Sequence, residues 1–344
     1  MPTKRNSAGE QQEYYPAGSP KGGQFASSGG QGSESKKSSI NTFTDDLLDV
    51  QADIHELPEE HQTVKPIVEE KDFENVRNSI KIVGKDGKEY SYNEPFIKEW
   101  IAGVDEKAKK YETFNKKNKD TGDMDPSRVA FDEKEIQKEI ARQEEQLRKN
   151  GIEPKYERKA TFVFGLPAAG KSRLSDPLKQ EMGAFEIDAD LMKQHIPEFQ
   201  KDPQMVSAVH EESSWMSKKM NKQLRDKGAN LVIGKVGGEK NYDSILSMMK
   251  ELKEAGYDID IQVAHKDLDK ALEANLGRFI NRYNDKENWG NKPPRIVRTS
   301  QHFNTQKTYF ETAIKLFNQG LVSGYKFIDV NDSKNPKLIH EKRK

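Results

Sequence analysis

The run Gly165-Leu166-Pro167-Ala168-Ala169-Gly170-Lys171-Ser172 constrains this chain more than any other part of it, because it satisfies G-x-x-x-x-G-K-[ST] at each fixed position. The run directly follows the apolar, β-prone Thr161-Phe162-Val163-Phe164 and opens a stretch with helical periodicity. Glycines at both ends let the loop turn so that consecutive backbone N–H groups converge on an anion. The helix N-terminus that follows adds its positive dipole end. A strand, a phosphate-binding loop and a helix are therefore expected, with a nucleotide as the ligand. Lys171 is expected to reach the β- and γ-phosphates, and the Ser172 hydroxyl to ligate Mg²⁺. Gly165, Ala168, Ala169, Gly170 and Arg173 complete the expected nucleotide site. Pro177 lacks the N–H that a helix interior needs, so a kink or break is expected there, with Asp176 capping a restarted helix.

β-prone runs recur at 184–187, 230–233, 259–264 and 325–330, with helical periodicity between them. That alternation specifies strands joined by helical crossovers. The expected fold is α/β, a P-loop kinase-type parallel five-stranded sheet with helices on both faces, over residues 155–335. Residues 1–40 hold eight Ser and seven Gly but only eight hydrophobic residues, which predicts a disordered tail. The stretch Tyr14 to Gly30 within it reads as a low-complexity linker or a short docking segment. Residues 41–154 read as a mainly helical region with one small hairpin, Ile80 to Tyr92, turning at Lys85-Asp86-Gly87. A helix is expected over Asp132 to Asn150, with Asp132 near its N-cap and Gly151 just beyond its end. Nothing in this region carries recognisable chemistry. Residues 336–344 read as a basic tail.

Composition narrows the partners. Lys+Arg and Asp+Glu are both 57, so overall charge makes no case for binding nucleic acid or an acidic membrane. The absence of cysteine excludes disulfides, thiolate nucleophiles and Cys-held metals. No apolar run approaches the roughly 18 residues of a membrane span. A soluble, cytoplasmic protein is expected.

Phe185-Glu186-Ile187-Asp188-Ala189-Asp190 ends a strand in two carboxylates. Ligands of open α/β sheets bind at the carboxyl ends of strands, so Asp188 and Asp190 are expected beside the phosphate loop. One could serve as general base toward an acceptor hydroxyl; either could simply cap the next helix. Met205, Val209, Ser213, Met216, Met220 and Leu224 form a helical stripe ending at Gly228, with Glu212 beside it. Glu212 reads equally as an acceptor contact or a structural hydrogen-bonding group, and His210 and Glu211 as surface. Arg278 and Arg282 share a helix face, and Arg295 and Arg298 follow a Gly/Pro-containing loop. Such cations can stabilise a transferring phosphoryl group or simply occupy a helix surface.

The ordered set GLPAAGKS, EIDADLMKQHIPEF, HEESSW, GANLVI, Gly256-Tyr257 and Arg295-Ile296-Val297 resembles the zeta-toxin family of P-loop kinases over residues 158–330. That family transfers the ATP γ-phosphate to a hydroxyl of UDP-N-acetylglucosamine. The resemblance implies that Lys171 and Ser172 bind ATP and Mg²⁺, that Asp190 is the base, and that Arg278 and Arg295 stabilise the phosphates. Asp188 and Glu212 would face the acceptor. It also implies a small-molecule acceptor and an antitoxin partner. A polynucleotide-end kinase and a non-catalytic, virion-associated nucleotide binder are the competing readings; the segment Ser19 to Phe25 weakly resembles phage head-associated proteins. One departure stands out. Where the family carries an acidic residue followed by Gly-Thr after its third strand, this chain reads Gly234-Lys235-Val236.

Overall fold

The computed structural model describes the backbone of residues 3–5 and 11–13, and residues 67–110, 125–306, 308–332 and 334–344 in full. Within the stretch expected to be unstructured, Thr3–Arg5 (β1) and Gln11–Glu13 (β2) pair antiparallel. A three-residue ladder needs only backbone hydrogen bonds, which composition does not forbid. The rest of 1–40, including Tyr14 to Gly30, lies outside the described residues.

The main sheet is laid out around Lys159–Gly165 (β5), all but the first residue of which is buried. Phe185–Ile187 (β6), Leu231–Gly234 (β7), Asp258–His265 (β8) and Gly324–Asp329 (β9) run parallel to it. Together with Lys337–Arg343 (β10) the order across the sheet is β10-β9-β8-β5-β7-β6. The chain leaves β5 for one edge and returns to its other side, so β5 ends at the switch point where open α/β sheets bind ligands. The five parallel strands match the expected architecture. The sheet nevertheless has six strands, because residues 336–344 are not a loose basic tail. β10 pairs antiparallel with β9. Its charges have partners there, Glu341 with Lys326 at 3.4 Å and Arg343 with Asp260 at 3.3 Å, and His340 stacks on Tyr325.

The covering helices are Ser172–Met182 (α4), Ala189–Lys193 (α5), Pro197–Lys201 (α6), His210–Asp226 (α7), Tyr242–Glu254 (α8), Leu268–Tyr283 (α9), Thr299–Gln306 (α10) and Tyr309–Asn318 (α11). All six residues of the stripe from Met205 to Leu224 are buried. Met205 and Val209 lie before the helix proper, Met205 in a 3₁₀ turn. Pro177 does not break α4. It and Arg173, whose carbonyl loses the hydrogen bond, are both exposed, so water can satisfy that carbonyl.

Ahead of the sheet come Glu70–Ser79 (α1), the hairpin Lys81–Val83 (β3) with Glu89–Ser91 (β4), Pro95–Lys110 (α2) and Pro126–Lys149 (α3). Ile80, Tyr92, Ile97 and Trp100 of this region form one buried cluster with Leu268, Leu272, Leu276, Phe279 and Ile280 of α9. α3 begins earlier than the sequence pattern predicts. Asp125 caps it by accepting from Ser127 N–H at 2.9 Å, and Pro126 takes the first helical position. Asp132 therefore sits two turns inside the helix and is fully buried. Glu135, Glu139 and Gln143 are buried on the same helix, so polar side chains occupy the face that packs.

Candidate functional site

The loop between β5 and α4 has the backbone of an anion cradle. Gly165 takes φ +152°, and a Cβ there would fall 2.7 Å from the Ala264 carbonyl of β8. Gly170 takes φ +88°, and Ala168, with φ +59°, holds a left-handed conformation that costs a non-glycine residue. Lys171 folds back over the loop, its Nζ donating to the carbonyls of Gly165 and Leu166 at 3.1 Å each. Burial pulls its ammonium down to about 8, partly offset by Asp188 and Asp190. Its present acceptors are neutral carbonyls, which an anionic phosphate would outcompete. Ser172 is exposed at the first residue of α4.

Asp188 and Asp190 both reach this loop, and they are held differently. Asp188 is the N-cap of α5 and accepts from the Asp190 N–H at 2.8 Å. Burial and the neighbouring Asp190 push its carboxyl up. Asp190 is gripped by two cations, Arg295 Nη1 and, at 3.0 Å, Lys193 Nζ. Burial would raise its pKa, but Arg295 and Lys193 hold it well below the ordinary carboxylate range.

Arg295 reaches Asp190 because a buried amide holds its segment in place. Asn275 of α9, fully buried, donates to the Val297 carbonyl at 2.8 Å and accepts from the Val297 N–H at 3.1 Å. It also donates to Tyr92 Oη at 3.0 Å, and Tyr92 donates in turn to the Leu272 carbonyl at 2.7 Å. Arg278 follows Asn275 by one helical turn. Burial first, and then the charges of Arg295 and Arg282, lower its guanidinium to about 10. Its Nε is buried with no hydrogen-bond partner among the described residues. A buried guanidinium crowded by other cations, with a donor left unmatched, is suited to receive an anionic group such as a phosphate.

Two of the expected residues go elsewhere. Arg298 pairs with Asp105 of α2 and does not join the cluster around Asp190. Glu212 is fully buried, accepting from Arg128 Nε at 2.5 Å and Nη2 at 3.1 Å. Arg128 also holds Glu198. Glu212 therefore ties α7 to α3 and α6, the structural alternative of its two sequence readings. Its low exposure arises because α3 covers it, and that contact lies 84 residues away along the chain.

Several participants left little or no sequence signal. Lys193 is buried at 3% exposure with its ammonium on Asp190. His302 of α10 is fully buried, and burial pulls it down to about 4, so it is neutral beside the Pro167 carbonyl of the loop. At the departure noted after β7, a Cβ on Gly234 would stand 3.3 Å from Asp188 Oδ2. Asp188 thus faces a bare glycine, and it partly offsets the burial that lowers the Lys235 ammonium. A cavity of about 290 Å³ opens beside Arg295 and Lys193, with His210 at its wall.

The zeta toxin family model matches residues 142–343. The chain belongs to the zeta toxin family. Like that family it is an ATP-dependent phosphotransferase of kinase type. Among solved structures, the PezAT chromosomal toxin–antitoxin system of Streptococcus pneumoniae is similar at 16% identity over 60% of this chain and 81% of that one, with TM-score 0.45. The AvrRxo1-ORF1:-ORF2 complex is similar at 17% identity over 64% of this chain and 69% of that one, with TM-score 0.44. The same complex with ATP gives 15% identity, 64% and 68% coverage and TM-score 0.38. No curated protein matches this zeta toxin-family chain. Among its described residues no helix is long and apolar enough to cross a membrane.

Proposed function

We propose that this chain transfers the ATP γ-phosphoryl group to a hydroxyl of a small anionic molecule, with a nucleotide sugar of the UDP-N-acetylglucosamine type as the acceptor that family membership suggests. The observation that carries this reading is the placement of Asp190. It stands in the first turn of α5, just past the carboxyl end of β6, held by Lys193 and Arg295, with Arg278 and Lys171 close enough to feel its charge.

In this reading the phosphate loop and Lys171 hold the β- and γ-phosphates, and Arg278 and Arg295 take up charge on the transferring group. Asp190 accepts the proton of the acceptor hydroxyl as its oxygen bonds to the γ-phosphorus. The bond from that phosphorus to the bridging oxygen breaks, and ADP leaves. An anionic acceptor that draws Arg295 toward itself loosens the grip on Asp190 and makes it a better base. Ser172 supplies a hard oxygen at the start of α4 for Mg²⁺, and the buried, proton-favouring Asp188 is a second carboxylate suited to a cation. When bound, that ion would neutralise charge between the β- and γ-phosphates. An antitoxin protein is the expected partner, and bacterial or phage-infected cytoplasm the expected setting.

Incubation of the full chain with γ-labelled ATP, Mg²⁺ and a bacterial metabolite extract, followed by mass spectrometry of the labelled product, tests the proposal. A labelled nucleotide sugar is the expected outcome. A labelled oligonucleotide end would make it a polynucleotide kinase. ATP binding with no labelled product would leave a nucleotide-binding protein, the outcome that Gly234 favours.

A further inference from the structure

The cavity beside Arg295 has a wall from outside the family domain. Lys193, His210, Arg295 and Ile296 line it from the region matched to the zeta toxin family, and Ile101 and Val104 of α2 line it from the other side. α2 spans Pro95–Lys110 and precedes the matched residues 142–343 altogether.

α2 is tied down on both sides of that opening. Asp105 accepts from Arg298, two residues beyond the cavity-lining Ile296. Lys107 pairs with Asp202, just ahead of the 3₁₀ turn Pro203–Val206 that also reaches the cavity. From behind, Trp100 packs edge-on against Phe279 at 5.6 Å and against Trp289 at 5.7 Å. Ion pairs at the rim and an aromatic cluster behind make α2 a fixed side of the cavity. The family side presents the cations that hold Asp190 beside Val206, Ile296 and Val297; α2 completes the apolar part of the lining with Ile101 and Val104, while its Asp105, also at the cavity, is taken up by Arg298.

We propose that α2 is a specificity wall for the phosphoryl acceptor, with Ile101 and Val104 receiving its apolar or ring portion while Arg295 meets its anionic group. This rests on the phosphotransfer reading above and adds to it a selecting surface contributed by residues outside the family domain. An acceptor bound in this way spans the cavity, its hydroxyl at Asp190 and its apolar part on α2. Steric fit against aliphatic side chains discriminates by size, and a single misfitting group changes acceptor use by about 10-fold or more.

The test uses the full chain, γ-labelled ATP, Mg²⁺ and the same metabolite extract as probe, comparing the parent with Val104→Trp, Val104→Ala and, on the exposed side of α2, Glu106→Ala. Val104→Trp is expected to lower kcat/KM for the principal labelled acceptor about 10-fold or more while leaving the KM for ATP and the melting temperature unchanged. Val104→Ala should enlarge the set of labelled products, and Glu106→Ala should match the parent. If Val104→Trp destabilises the chain, the Val104→Ala product set still decides. Both Val104 variants labelling the parent's products at the parent's rates would overturn the wall while leaving the kinase intact. A parent that labels nothing would instead overturn the phosphotransfer reading, and the wall with it.

Discussion

Around the phosphate loop the chemistry comes from one unbroken stretch, residues 161–173, whereas the acceptor side of the cleft is gathered from separated segments. Asp190 and Lys193 come from α5, Arg278 from α9, Arg295 from the loop after it, and Ile101 and Val104 from α2. On the first side geometry follows from local backbone conformation, the positive φ values of Gly165, Ala168 and Gly170. On the second it follows from tertiary clips, above all Asn275 holding Val297. A phosphate cradle can therefore persist while the acceptor side is remodelled. The glycine at 234 and the wall from α2 both fall on the side that is free to vary.

The sharpest way to break this contrast is to disable each side separately. Lys171→Ala should abolish productive ATP use while leaving the melting temperature within a few degrees of the parent's, because the ammonium's present contacts are two loop carbonyls. Transfer assays with labelled ATP, read beside thermal unfolding, check this; turnover at the parent rate would remove the loop from the mechanism. On the acceptor side, Asp190→Asn should lower the maximal transfer rate about 10²- to 10⁴-fold with ATP affinity kept, the range typical of a lost general base. Asp188→Ala should cost less rate and more stability, since Asp188 caps α5 and replacing a capping Asp by Ala costs about 1 kcal/mol. Equal rate losses from both would point to a shared metal ion and would blur the division between the two sides.

The same division explains what could be read from the sequence. The five parallel strands, the loop and its lysine were legible because each is written in contiguous residues with a fixed physical purpose. Asp190 and Arg295 were legible through family resemblance, but the reason they meet was not, since Asn275 sits 22 residues from Val297 and looks like any helical asparagine. Glu212 illustrates the converse. Its place beside an apolar stripe signals burial, yet its partner Arg128 lies 84 residues away, in a region whose sequence carries no recognisable chemistry. The sixth strand is not legible because Lys337–Arg343 is charged at most positions, and what makes it a sheet edge is a set of distant partners, Lys326, Asp260 and Tyr325.

The smallest expected effect concerns that same charged region, where α3 covers the domain. Asp132 is fully buried beside the Arg128–Glu212 pair, and neither of its oxygens has a hydrogen-bond partner as an ionised group among the described residues. Burial, and then the Glu212 carboxylate, push it from 3.8 up to about 8. At neutral pH it therefore keeps a proton that it can donate toward Glu212. Because the folded value lies above the unfolded one, this stabilisation is fully present below about pH 4 and is lost as pH rises through about 8. The parent should melt at a lower temperature at pH 8.5 than at pH 5. Asp132→Asn, which cannot ionise and whose amide can still donate to Glu212, should flatten that slope and be the more stable variant at pH 8.5. Each ~1 kcal/mol recovered corresponds to about 2–4 °C for a domain of this size. Transfer rate should change little, since Asp132 touches neither the loop nor the cavity. If the Asp132→Asn melting curve keeps the parent's slope between pH 5 and 8.5, the proton lies elsewhere, and α3 would be held by the Arg128 pairs without it.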